Sequence, residues 1–151
     1  MKESSIKTQQ ETLCRELANS LECLLSAFNN YLNSFEVKDF FTFSGADKRV
    51  DFYKSNYSKL REDISAPAEK ATAIMGNISS LLIESDITGM ADTTALLQNI
   101  FDKYITLEAL LSAFIKETNA ALKEEKLSIT RMSDSAKKVC LAISSLKSNL
   151  K

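Results

Sequence analysis

Apolar residues at Leu13, Leu17, Leu21, Leu24, Phe28, Tyr31 and Phe35 recur in steps of three and four, the spacing that lines one face of an α-helix. Leu25 and Leu32 widen that stripe beyond the narrow seam of a two-stranded coiled coil, so the helix is expected to pack among several neighbours. A second run, Val50, Tyr53, Tyr57, Leu60 and Ile64, continues in register across Pro67 as Ala68, Ala71, Met75, Ile78 and Leu82. The held register favours one helix kinked at Pro67. The alternative is a break, with Ser65 or Ala66 as N-cap and Pro67 in the first turn of a new helix. The stretch "ESDITGMADTT" gathers Ser85, Asp86, Thr88, Gly89 and Asp92, turn and capping residues that predict a chain reversal near 85–92.

The third run steps through Leu97, Ile100, Tyr104, Leu107, Leu111 and Phe114, thins at Thr118, Ala121 and Glu125, and recovers as Met132, Ala136, Val139, Ile143, Leu146 and Leu150. The thin middle allows two readings. Without Gly or Pro after residue 92, the segment could be one rod of about 90 Å, at about 1.5 Å per residue. Leu127 and Ile129, two apart, fit a turn better, with Ser133 or Asp134 capping a fourth helix and an antiparallel four-helix bundle as the result. The bundle is the preferred reading. The predicted fold is therefore all-α: an elongated antiparallel bundle of three to four long helices with coiled-coil-like packing, in one domain over 1–151. The polar residues 1–9 are expected to lie outside its ordered body.

Composition sharpens this picture in two places. Only 3 Gly and 1 Pro interrupt 151 residues, in keeping with long helices. The segment "APAEKATAIMG" is rich in small residues, so a neighbouring backbone is expected to approach closely there and to offset the cost of Gly76, about 1 kcal/mol in a helix interior.

Charge and chemistry mainly exclude. A net charge of −1 gives no field to hold nucleic acid or an anionic membrane, and no stretch reaches the ~18 apolar residues that span a bilayer. Cys14, Cys23 and Cys140 are odd in number and form no Cys-x-x-Cys pair, so they read as buried small hydrophobes in a reducing cytosol. The chain has 0 His, which removes the commonest general base and metal ligand. The glycines at 45, 76 and 89 make no phosphate loop, and the pairs Glu62–Asp63 and Glu124–Glu125 diverge by about 100° on a helix. No catalytic, cofactor-binding or metal site is predicted, and the protein is not expected to be an enzyme.

One segment stands apart. "VKDFFTFSGADKRV", residues 37–50, places Phe40, Phe41 and Phe43 beside a turn, with Phe35 and Phe52 flanking them, so that five of the 8 phenylalanines fall within 18 residues. They either plug the end of the bundle or form an exposed patch for a partner. Phe40, Phe41, Phe43 and Phe52 are accordingly the candidate partner-binding residues. The expected function is a non-catalytic protein–protein interaction module, an adaptor or chaperone that takes a partner helix, or its own copy, on an apolar helix face. In size, acidity and helical make-up the chain is similar to the cytosolic export chaperones of flagellar and type III secretion systems. That likeness is one of class and rests on no motif. The alternatives are a structural coiled-coil subunit of a larger assembly and a sensory bundle holding a small apolar ligand near Tyr57, Met75 and Tyr104.

Overall fold

A computed structural model, describing residues 2–36, 46–124 and 129–150, forms four helices: α1 (Lys2–Asn33), α2 (Ala46–Thr88), α3 (Ala91–Lys123) and α4 (Ile129–Ser148). A single 3-10 turn, Ser34–Glu36, follows α1, and no strand occurs among the described residues. Neighbours in sequence are neighbours in space: α1 packs on α2, α2 on α3, α3 on α4 and α4 back on α1, while the diagonal pairs hardly meet. Cross-helix bonds fix the directions. Tyr57 donates to the Ile115 carbonyl, the Thr72 and Tyr104 hydroxyls share a bond, and Ser85 meets Thr94, so α2 and α3 run antiparallel. Ser135 on Glu117 and Lys103 on Ser145 set α3 and α4 antiparallel in the same way. The fold is an elongated antiparallel four-helix bundle.

α1 starts at Lys2, not near Leu13, and so takes in the segment expected to lack order. Ile6 supplies the reason: it lies seven residues before Leu13 on the same face and is 0% exposed. α2 is continuous for 43 residues with Pro67 inside it. Proline removes the hydrogen bond to the carbonyl four residues back, here Asp63, which is exposed and open to water.

The reversal after α2 falls within the expected segment, but its side chains do not cap α3. Met90 holds the N-cap position and makes no side-chain cap bond. The turn is backbone-made: Gly89 sits at φ 83°, its N–H donates to the Asp86 carbonyl at 3.1 Å, and the Met90 N–H donates to the Ser85 carbonyl at 3.0 Å. This pairing is a Schellman C-cap, which requires the left-handed conformation that glycine adopts without strain. Ser85 is 0% exposed and interior, bonded to Leu82 and Thr94.

α3 ends at Lys123 and α4, from Ile129, packs back on it, so the described residues between 92 and 150 are two packed helices and not a rod. Since α4 already begins at Ile129, Ser133 and Asp134 lie inside it, and neither is the cap that the sequence suggested.

Packing differs along the bundle. Phe114, 0% exposed, meets Phe28, Tyr31 and Tyr57 edge-on at centroid separations of 5.3, 5.7 and 6.1 Å. Phe35 joins Tyr31 at 5.0 Å and stacks on Tyr53 at 5.7 Å. Toward the other end the interior is aliphatic: Ile6, Leu17, Ile78, Leu81, Leu97 and Ile100. Tyr53, Tyr57 and Tyr104 are all core residues, as their stripe positions predict.

Candidate docking surface

Three of the four candidate partner-binding residues, Phe40, Phe41 and Phe43, lie outside the described residues. The fourth, Phe52, is half-buried against the core, with its ring 5.7 Å from that of Tyr53.

Among the described residues, apolar surface is bare near the other end of α2. Ile83 and Ile87, one turn apart, are 61% and 79% exposed. At 100° per residue they share a face with Glu69, Ala73, Gly76 and Ser80, and that face points directly away from Ile78, Leu81 and Ser85 in the interior. All six are exposed. The close approach expected at Gly76 does not occur inside the molecule: a Cβ built there meets no atom within 4 Å. Gly76 therefore keeps its helix penalty, and its backbone is open at the middle of the face.

One edge of this face borders a groove of about 430 Å³ between α1 and α2, lined by Thr8, Thr12, Glu16, Asn77, Ser80 and Glu84. Its walls are mixed, with Leu13 and Leu81 at its floor and Glu16 and Glu84 among its polar residues. The other large exposed apolar residues among those described, Ile105 at 49% and Leu141 at 71%, lie on α3 and α4. Single exposed apolar residues are ordinary on a protein surface, whereas two stacked on one helix face make a contiguous patch.

The chain matches no family model, no curated protein and no solved structure.

The remaining chemistry of the described residues is muted. Cys14 is buried, Cys140 half-buried and Cys23 exposed, so the expectation that all three are interior fails at Cys23. Burial pushes the Cys14 and Cys140 thiols up from their ordinary range and keeps them protonated and unreactive at neutral pH. Of the groups suggested for a small-ligand site, Met75 is buried, Tyr57 is bonded to Ile115 and Tyr104 to Thr72. Among the described residues no three Cys, Asp or Glu side chains come together as metal ligands, and no helix is long and apolar enough to cross a membrane.

The exposed isoleucines were legible in part. Ile83 and Ile87 fall off the stripe that runs through Ile78 and Leu82, and off-stripe isoleucines in a helix with an otherwise regular period signal a second apolar face.

Proposed function

We propose that this protein is a non-catalytic docking module, a cytosolic adaptor or chaperone-like bundle that receives a helix on the outer face of α2. The observation that carries the reading is the pair Ile83 and Ile87, bare on a helix whose opposite face already fills the core. Burying two isoleucines against a partner gains roughly 1.5 to 3 kcal/mol each, enough to anchor a weak complex when the flanking residues are small. Ser80, Gly76 and Ala73 supply those small flanks. The backbone of an incoming helix can then come close before side chains collide.

The test is affinity purification from the source cells with the native chain and with I83S/I87S as baits, followed by reconstitution from purified components. A protein retained by the native chain, lost on the variant and rebound in the purified pair supports the reading. Equal retention by both baits contradicts it. Running F41S/F43S alongside decides whether the aromatic segment at Phe40, Phe41 and Phe43 contributes to the same contact.

A further inference from the structure

We infer that the helix received by this face is α2 of a second copy, packed antiparallel so that the two helices cross at Gly76 and Asn77. The inference rests on the docking reading above and names its occupant. It follows from three kinds of complementarity that a two-fold arrangement creates from the residues of one chain.

The first is charge. A two-fold axis perpendicular to both helices brings the same flank of each together, with residues paired at equal distances on either side of the crossing. Lys70 and Glu84 lie on one flank of the exposed face and are equally spaced, seven residues each way, about Asn77. Each Lys70 thus meets Glu84 of the second copy, about 10 Å from the crossing, and the pairing occurs twice. Neither side chain forms a salt bridge with a described residue of its own chain.

Size is the second. About Asn77 the same operation brings Ile83 level with residue 71 of the other copy, between Ala73 and Glu69, and Ile87 level with residue 67, beside Ala66, so that each large side chain has one small neighbour. At the crossing itself stands Gly76, where a helix offers its bare backbone and where nothing in its own chain occupies the space.

The third is hydrogen bonding. Asn77, exposed on the Lys70 flank, falls at the crossing level opposite Asn77 of the second copy, and a side-chain amide both donates and accepts. Glu69 alone runs against the pattern. It lies on the seam between Ile83 and Ile87 of the other copy, where desolvation of its carboxylate opposes association. Two helix faces of this length bury less than about 1,200 Å², so the dimer belongs among weak complexes with a micromolar dissociation constant.

Sedimentation velocity over a wide concentration range, on the native chain, K70E, E84K and K70E/E84K, tests this directly, with circular dichroism to verify unchanged helix content. The native chain is expected to dimerise. Either single reversal turns two attractions into two repulsions and weakens the dimer by about tenfold or more, and the double reversal restores it. E69A should tighten it. A native chain that stays monomeric at every concentration overturns the second copy as occupant. The docking reading then stands or falls separately on the I83S/I87S bait. A dimer indifferent to the single reversals, or not rescued by the double one, overturns the antiparallel register.

Discussion

The two ends of α2 treat large side chains in opposite ways. Near Tyr53 and Tyr57, aromatic rings from α1 and α2 close on Phe114 of α3 from several sides. Near Ile83 and Ile87, a helix of the same regularity leaves two isoleucines in water. Internal packing accounts for those rings, and it does not account for the two isoleucines. The contrast teaches that a crowd of aromatics marks where a small bundle needs volume to fill. A large apolar residue on the wrong side of its own helix is left unexplained by that packing, and the docking proposal rests there.

The largest expected effect breaks the comparison at its packed end. Phe114→Ala removes a fully buried ring with three aromatic partners and should cost about 3 to 5 kcal/mol in urea unfolding, whereas Ile87→Ser should stay within about 0.5 kcal/mol. Similar costs for the two would erase the distinction between the ends.

The packed end should also carry an alkaline sensitivity. Burial raises the Tyr31 phenol well above its ordinary range, helped by Tyr57 and Tyr53, and burial raises Tyr104 as well. Because the folded state holds these protons more tightly, the unfolded chain ionises first. Stability is complete below the ordinary tyrosine value near 10 and falls as pH rises beyond it. The Tyr31 hydroxyl has no hydrogen-bond partner among the described residues, so Tyr31→Phe should flatten that alkaline loss at little cost at pH 7. A variant with the native alkaline slope would contradict the assignment to Tyr31.

The two glycines at the far end should answer with opposite signs. Gly89→Ala forces a side chain into φ 83° and should destabilise by about 1 to 2 kcal/mol. Gly76→Ala, in helix with open space around its Cβ position, should stabilise the monomer by up to about 1 kcal/mol while weakening self-association by separating the crossing helices. Chemical unfolding and sedimentation read the two effects separately. The smallest effect belongs to S133A/D134A, expected within about 0.5 kcal/mol because both positions are interior to α4, and a loss of 1 kcal/mol or more would restore them as caps.

Periodicity carried most of the fold. The stripes of α1, α2 and α3 were readable because each core position recurs at helical spacing, and continuity through Pro67 followed from the register held on either side of it. Readings failed where one residue had to speak for a long interval. Ile6 anchors the first turns of α1 alone, separated from Leu13 by polar residues, and composition outweighed it. Ser133 and Asp134 look like caps, yet α4 starts before them, since capping residues are also tolerated inside an amphipathic helix when tertiary contacts hold it. Ser85 has the same ambiguity in reverse, a capping residue by type that is an interior hydroxyl with two partners. The small-residue stretch around Gly76 was legible as a place of close approach, but a one-chain pattern cannot say whether the approaching backbone belongs to the same molecule. For the proposed docking surface, aromatic density drew attention to Phe40, Phe41, Phe43 and Phe52, of which only Phe52 is among the described residues, whereas Ile83 and Ile87 stand out by their shared exposed face, which depends on which helices neighbour α2.

The central claim, that the outer face of α2 is a docking surface and that a second copy occupies it, is tested most directly by amide chemical shifts of the labelled native chain followed on dilution. Shifts that move together with one dissociation constant and cluster at Ala73, Gly76, Asn77, Ser80, Ile83 and Ile87 are the predicted result. Shifts that stay constant with concentration, or that move instead around Leu141 or Ile105, would contradict it.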